Sequence, residues 1–210
     1  MYSIIYPYFN KVFQYLKHFN FNSEKFNQYH PELLPDYLWS LNPSILFKYN
    51  YGASKITLFF TEYPNYCIKI PFNADMDEID ICEKENNIYH DAQKNKVSAI
   101  LLPIIKIGFI NNHNIYAQYI GQPLTENNDI LISNSNSIKK ISKITSKKDS
   151  DVIKNATDNT EWNYYVLQYY GFQKGYKILD YLYYNLSDLR DDNIGFVGEK
   201  PIIFDYGGAV

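Results

Sequence analysis

Several residue types and patterns are scarce in this chain of 210 residues, and each scarcity excludes a class of protein. Only two cysteines occur, Cys67 and Cys82, so we expect no disulfide framework and a reducing compartment. The four histidines have no metal-ligand spacing among themselves or with the cysteines. A formal net charge of −3 disfavours a basic nucleic-acid scaffold, and we expect no nucleic-acid partner.

Long apolar runs are also missing. The longest, residues 98–110, contains Pro103 and Lys106 and is too short to span a bilayer. The amino-terminal residues lack a basic start followed by an apolar stretch, so we expect no secretory signal. These absences predict a protein without membrane contact that is located in the cytoplasm.

Aromatic residues are abundant, at 18% of the chain with 22 tyrosines. Apolar residues make up 46%, which is enough to bury a core and argues against a disordered chain. The length fits one domain or two small lobes. The aromatic residues are therefore interpreted mainly as packing residues, Tyr116 among them.

The first 45 residues have a helical pattern. Val12, Phe13, Leu16 and Phe19 recur at three- and four-residue spacing, and a second short helix is predicted over residues 32–41. One interpretation is an arm that binds a partner or a second copy. The pattern favours the other interpretation, an additional helical layer over the core.

The next part of the chain changes to the alternation of strands. The predicted strands are residues 44–51, 55–61, 66–71, 101–109 and 114–120. A helix is predicted over residues 77–94, between the third and fourth strands. Several strands with one inserted helix indicate an α+β fold with an antiparallel sheet.

The last part is predicted to be mainly helical. Residues 125–160 are rich in Ser, Asn, Lys and Thr, and their pattern does not decide between a flexible insert and weak helices. Helices are predicted over 161–170 and 173–184, and a hairpin over 194–205. The lysines between 139 and 154 are interpreted as a solvated face rather than as a contact for an acidic partner.

One segment carries a pattern typical of chemistry. Asp followed by Asn five residues later occurs four times, beginning at Asp129, Asp158, Asp180 and Asp188. Only the last pair leads into a predicted hairpin that ends on another aspartate, Asp205, followed by an aromatic residue and glycine. The context, and not the spacing, therefore selects this segment.

These residues resemble the catalytic core of the protein-kinase-like superfamily. That family has an Asp, then Leu, and an Asn five residues after the Asp, as at Asp188 and Asn193. Its Asp-Phe-Gly triplet is similar to the Asp-Tyr-Gly that begins at Asp205, and the strand bearing its phosphate-binding lysine is similar to the strand around Lys69. Short phage and bacterial kinase-like proteins have a similar hairpin, and the aminoglycoside phosphotransferases share the core.

The resemblance covers about residues 46–122 and 173–207. It implies an α+β, protein-kinase-like fold with a small antiparallel-sheet N-lobe and a reduced, mainly helical C-lobe. The domain division that follows is an N-terminal helical extension over 1–45, an N-lobe over 46–122 and a C-lobe over 123–210. A phage origin would place the protein in the host cytoplasm.

The resemblance also implies ATP and Mg²⁺ and assigns roles to residues. Asp205 and Asn193 would hold Mg²⁺, a cation suited to oxygen ligands. Asp188 would orient or deprotonate the acceptor hydroxyl, and Arg190 would steady the γ-phosphate. Lys69 would neutralise the α- and β-phosphates.

The partner of Lys69 can be predicted from helix geometry. Kinases place a glutamate on the helix after that strand, facing the sheet. At about 100° per residue, Glu85 lies within the apolar stripe of the predicted helix, whereas Glu83 lies on the far side. Because an unpaired buried charge is costly, Glu85 is the predicted partner, with a different cation or a solvated position as the alternatives.

This sequence matches two other nucleotide-binding segments of the family, the glycine-rich loop and the hinge, less closely. The glycine-rich loop keeps only its middle glycine, Gly52, with Asn50 and Lys55 at the other two positions. The segment from Gln118 to Ile120 resembles the hinge that hydrogen-bonds adenine through backbone groups. The alternatives are an ordinary hairpin turn at Gly52 and an ordinary strand end at Gln118.

Two departures from the family keep three functions open. Leu186 stands where the family usually has a histidine, and the sequence ends three residues after Gly207, so we expect no activation segment and no peptide-docking groove. The first function is a phosphotransferase acting on protein hydroxyls. The second is a small-molecule kinase of the aminoglycoside phosphotransferase type, and the third is a pseudokinase-like binding module without catalysis.

Overall fold

A computed structural model describes residues 10, 12–21, 30, 32–44, 47–52, 54–72, 80–111, 113–126, 128–145, 151–187 and 189–206. They fall into two units, one drawn from Met1–Asn86 and Ile104–Ile120, the other from Asn87–Pro103 and Gly121–Val210. Strands and helices are both present, and the α+β class is confirmed. The division into an extension and two lobes stays a prediction.

A five-stranded sheet forms the centre of the first unit, and all of its pairings are antiparallel. Its order is β1-β2-β3-β5-β4. The strands are β1 (Phe47–Tyr51), β2 (Lys55–Phe60), β3 (Tyr66–Pro71), β4 (Ile104–Ile110) and β5 (His113–Tyr119). The predicted antiparallel sheet is confirmed, although β4 begins three residues later than the sequence indicates.

The two faces of this sheet differ in character because side chains alternate along each strand. Ile56 and Leu58 of β2 and Ile68 of β3 belong to an apolar core on one face. Lys55, just before Ile56, and Lys69, just after Ile68, project from the other face, and both are buried. Because lysine is almost never fully buried unless it is paired, this second face must hold an anionic or polar partner for the two lysines.

The apolar face is covered by the amino-terminal part of the chain. Residues 12–16 are helical, and α1 spans Leu33–Leu41. Val12, Leu16, Leu34 and Leu38 are all buried in the same core as the sheet. The interpretation of this segment as a covering layer is confirmed for the residues that the structure describes.

Helix α2 (Ile81–Lys94) follows β3. The sequence pattern predicts a start at residue 77, but Asp80 is already outside the helix and residues 73–79 lie outside the described part of the chain. The helix ends where Lys96 takes a left-handed conformation with φ of 60°, and the Val97 N–H donates to the Ala92 carbonyl at 2.9 Å. This pattern of bonds closes a helix C-terminus.

The second unit contains five further helices and a small sheet within the described residues. Residues 125–160, whose pattern is ambiguous, contribute three of these helices and the first residue of a fourth. The helices are α3 (Asp129–Ser133), α4 (Ser135–Thr145), α5 (Asp151–Asn155), α6 (Thr160–Tyr170) and α7 (Phe172–Asn185). The lysines of α4 are exposed, as a solvated face requires.

Gly171 separates α6 from α7 as predicted, with a φ of 77° that favours glycine. The two helices pack closely because Gly175 has no side chain: a Cβ there would lie 2.8 Å from the Cα of Leu167. Trp162 and Leu182 are fully buried in the core that these helices build.

The small sheet contains the predicted hairpin and one strand that the sequence does not indicate. It has the order β6-β7-β8, with β6 (Gln122–Pro123), β7 (Ile194–Val197) and β8 (Lys200–Ile203). Gly195 lies opposite Pro123, and a Cβ at Gly195 would overlap the carbonyl oxygen of Gln122. Pairing of so short a strand therefore depends on a glycine at this position.

Candidate functional site

The polar face of the first unit's sheet carries a buried ion pair. Oε2 of Glu85 accepts a hydrogen bond from Nζ of Lys69 at 3.0 Å, and both side chains are buried. Lys69 lies between Thr57 and Tyr116 of the neighbouring strands. The predicted contact between Lys69 and Glu85 is confirmed, while its role in binding phosphate stays a prediction.

Asp80 fixes the position from which Glu85 projects. Its Oδ1 accepts the backbone N–H groups of Cys82 at 2.9 Å and Glu83 at 3.2 Å, which caps the start of α2. Its Oδ2 accepts from the Tyr116 hydroxyl at 3.0 Å and from the Asn114 amide. The same carboxylate therefore joins the helix start to β5, and Glu85 lies little more than one turn further along the helix.

This anchoring affects the titration of Tyr116. Burial, followed by the negative charge of Asp80 and the hydrogen bond to it, raises the pKa of the Tyr116 hydroxyl well above its usual range. The hydroxyl therefore stays protonated and remains a donor to Asp80. Tyr116 has the packing role that the sequence indicates, together with an anchoring role that it does not.

Lys55 is the residue of this site whose contact the sequence does not predict. Its Nζ contacts Oε1 of Glu85, so the carboxylate lies between two lysines. From the sequence, the Cβ of a lysine at the third glycine position would hinder close approach of a nucleotide, whereas its charge would help to bind one. The signal that identifies it is the period of two along β2, which places Lys55 and Thr57 on one face and Ile56 and Leu58 on the other.

The predicted glycine loop is a turn between β1 and β2. The Gly52 N–H donates to the Lys55 carbonyl at 3.1 Å. Gly52 is exposed, and a Cβ built there would have no atom within 4 Å. The described residues of this segment thus form a hairpin turn, and its role as a nucleotide-binding loop stays a prediction.

The predicted adenine-binding segment lies at the end of β5. Gln118 is buried, and its carbonyl accepts the thiol of Cys67 at 3.6 Å. The Ile120 N–H donates to the Asn65 carbonyl at 3.1 Å. An adenine that used this N–H would have to replace a bond already made within the protein.

The second unit carries the predicted catalytic loop and metal-binding residues. Asp188 lies outside the described residues. Leu189 after it is buried, and Arg190 is exposed, with Nη2 at 3.5 Å from Oδ2 of Asp192. The Arg190 carbonyl accepts the N–H of Asn193 at 2.9 Å, which closes the turn into the hairpin.

The hairpin brings Asn193 and Asp205 to the same end. Ile194 lies opposite Ile203, and the Phe204 N–H donates to the Asn193 carbonyl at 3.1 Å. Asp205 is the next residue, and both it and Asn193 are half-buried. The backbone pairing therefore brings the positions of Asn193 and Asp205 close together at the open end of one hairpin.

This donor set fits Mg²⁺, which prefers oxygen ligands and keeps waters or phosphate oxygens in its remaining positions. Among the described residues, no three His, Cys, Asp or Glu side chains are grouped so that they could hold a metal ion by themselves. The remaining ligands at such a site would be waters or phosphate oxygens.

Tyr206, the residue after Asp205, is anchored by its own side chain. Its ring is buried, and its hydroxyl donates to the Leu102 carbonyl at 2.7 Å. Leu186, where the resemblance implies a histidine, is buried in the core of the second unit. A leucine there supplies packing and has no hydrogen-bonding group to offer.

A polar cavity of about 390 Å³ lies in the second unit and is lined by Gln122, Glu126, Asn128 and Asp129. A small-molecule kinase is predicted to have an acidic pocket beside Asp188. Because Asp188 lies outside the described part of the chain, the cavity does not decide between small-molecule and protein acceptors.

No protein-family model matches this chain, and no curated protein matches it. No helix in the described ranges is long and apolar enough to cross a membrane. The functional interpretation therefore depends on the two groups of residues described above.

Proposed function

We propose that this chain is a Mg-ATP-dependent phosphotransferase with a minimal protein-kinase-like fold, which moves the γ-phosphate of ATP to a hydroxyl on a protein. The observation that carries the proposal is the buried pair of Lys69 and Glu85 on the polar face of the sheet. A carboxylate withdrawn from water holds the ammonium group in one place. A lysine held in this way is suited to bind phosphate oxygens as a point charge.

The second support is the hairpin with Asn193 and Asp205, whose side-chain oxygens suit Mg²⁺. When bound, Mg²⁺ neutralises charge on the phosphate oxygens and positions them for transfer. Tyr206, anchored on Leu102, orders the backbone next to Asp205. The chain thus has separate groups for binding phosphate and for binding a metal.

In the proposed reaction, the acceptor oxygen forms a bond to the γ-phosphorus while the bond from that phosphorus to the bridging oxygen breaks, and ADP leaves. Asp188 orients the acceptor hydroxyl and takes its proton. Arg190 donates to the transferred phosphoryl group. The roles of Asp188 and Arg190 follow from the sequence resemblance.

Transfer of labelled phosphate tests this function. The purified chain is incubated with Mg²⁺ and γ-labelled ATP, alone and with a protein extract, and labelled protein is followed on a gel. We expect labelling with the wild type and none with Asp188→Asn, which keeps the shape of the side chain but cannot take a proton. Asp151→Asn, at an exposed aspartate of α5 outside the predicted catalytic loop, is the matched control and should label as the wild type does.

The two other functions appear as distinct outcomes. Transfer of the label to small hydroxylated compounds, without labelling of any protein, would favour the small-molecule kinase function. Binding of Mg-ATP without transfer to any acceptor would contradict the phosphotransferase and favour a binding module.

A further inference from the structure

Lys55 is the buried charged residue that the proposed function does not use. It is the first residue of β2, and Gly52, shortly before it, is exposed. A lysine at such a position usually extends its ammonium group into water, yet only 8% of Lys55 is exposed. Lys55 lies opposite Pro71, and Thr57 lies opposite Lys69. Because opposite residues and residues two apart share a face, both lysines project from the same face of the sheet.

Glu85 holds the two lysines in equivalent ways. Its Oε1 accepts from Lys55 and its Oε2 accepts from Lys69, so each ammonium group has its own carboxylate oxygen. Lys69 is 4% exposed and Glu85 is fully buried. The Glu85 carboxylate, which holds the ammonium group of Lys69 in place for phosphate binding, therefore holds that of Lys55 as well.

The chemistry of both groups suits a chain of phosphates. An ammonium group has three N–H donors, so one lysine can serve the carboxylate and a phosphate oxygen together. A polyphosphate carries charge along its length, and two neighbouring cations can contact two of its phosphate groups. If Lys55 only neutralised the charge of Glu85, it would repeat what Lys69 already does.

We propose that Lys55 is a second phosphate-binding lysine, which acts beside Lys69 on the polyphosphate of the bound nucleotide. This inference rests on the proposed function and deepens it. Either lysine alone then sustains weakened binding, and the loss of both abolishes it. The ligand chemistry is that of a polyphosphate, from a nucleoside triphosphate or from inorganic tripolyphosphate.

Calorimetric titration of the full chain with Mg-ATP, and with Mg-tripolyphosphate as the probe without a base, tests this inference. Lys55→Met and Lys69→Met each leave Glu85 one cation, so both variants should fold. We expect each to weaken binding of both probes about ten- to a hundredfold, because each removes one charged hydrogen bond to phosphate. The triple variant Lys55→Met, Lys69→Met, Glu85→Gln leaves no lone buried charge among the three and should not bind.

Lys48→Met, an exposed lysine of β1, is the matched control and should bind as the wild type does. Wild-type affinity in Lys55→Met would overturn this inference alone. A wild type that binds no Mg-ATP would overturn the proposed function and this inference with it. Weakened Mg-ATP binding with unchanged tripolyphosphate binding would also contradict a phosphate contact at Lys55.

A labelling experiment on the wild-type protein tests the same proposal without variants, so its result does not depend on whether a variant folds. An acyl-phosphate derivative of ATP transfers its acyl group to a lysine near the phosphates: the amide bond forms, the bond between acyl carbon and phosphate oxygen breaks, and ATP leaves. We expect mass spectrometry to find the acyl group on Lys55 and Lys69, and excess ATP to protect both. Label on Lys69 without label on Lys55 would contradict the proposal.

Discussion

Glu85 and Lys69 lie 3.0 Å apart, from Oε2 to Nζ, and both side chains are buried. Lys55 occupies the other oxygen of the same carboxylate. Glu85 is thus the central group of the polar face, since both lysines depend on it.

Replacing Glu85 should therefore lower stability strongly. Glu85→Ala leaves two buried lysines without their shared carboxylate, and removal of one partner from a buried pair costs about 3–5 kcal/mol. Urea unfolding followed by circular dichroism measures the change. Glu83→Ala, an exposed glutamate of the same helix, should cost less than about 1 kcal/mol; equal losses in the two variants would show that Glu85 is not held as described.

The anchoring role of Asp80 gives a second prediction. Asp80→Ala removes a helix cap, worth about 1 kcal/mol, and leaves the Tyr116 hydroxyl and the Asn114 amide without their acceptor, at about 1–3 kcal/mol more. Asp80→Asn keeps an oxygen that can cap the helix and should lose less. Unfolding free energies of the two variants test this order, and a loss below about 0.5 kcal/mol in Asp80→Ala would contradict the anchor.

Stability should fall above pH 10. Burial, followed by the hydrogen bond to Asp91, raises the pKa of Tyr181, and burial and Asp80 raise the pKa of Tyr116. The unfolded chain releases these protons near pH 10 while the folded chain keeps them. The unfolded state then binds fewer protons, so the stability that is present below pH 10 is lost as the pH rises.

The expected slope is about 1.4 kcal/mol per pH unit for each such tyrosine. Urea titrations at pH 8, 9, 10 and 11 measure it. Tyr116→Phe should show a smaller decline between pH 10 and 11 than the wild type. A free energy of unfolding that does not change over this range would contradict the burial of these hydroxyls.

Substitution by alanine should lower stability at Gly195 but not at Gly52. Gly195→Ala places a Cβ against the Gln122 carbonyl oxygen and should cost about 1–3 kcal/mol by overpacking. Gly52→Ala meets no atom within 4 Å and should leave the melting temperature of the ligand-free protein unchanged. If the loop approaches phosphates closely, Gly52→Ala should nevertheless weaken Mg-ATP binding, and calorimetry would show it.

Local patterns predicted much of the fold. The strand from Tyr66 to Pro71 has the predicted bounds, and Gly171 separates two helices where its conformational freedom indicates. The helical stripe identified Glu85 as a buried carboxylate because the period of a helix is reflected directly in the sequence. These features depend on residues that are close along the chain.

Features that depend on distant residues were not predicted. Strand β6 has two residues, and its pairing with β7 depends on the missing side chain of Gly195, more than seventy positions away. The contact of Lys55 with Glu85 spans 30 positions and requires the register of β2 on β3. The period of two along β2 indicates the face on which Lys55 lies, but no local pattern indicates that Glu85 is its partner or that β6 pairs with β7.

The most direct test of the nucleotide site is the melting temperature of the protein with and without millimolar Mg-ATP. A ligand that binds only the folded state raises the melting temperature, by an amount that grows with the ratio of its concentration to its Kd. We predict a rise of several degrees for the wild type and none for Asp205→Ala, each compared with its own ligand-free value. No rise in the wild type, or an equal rise in Asp205→Ala, would contradict the proposed Mg-ATP site.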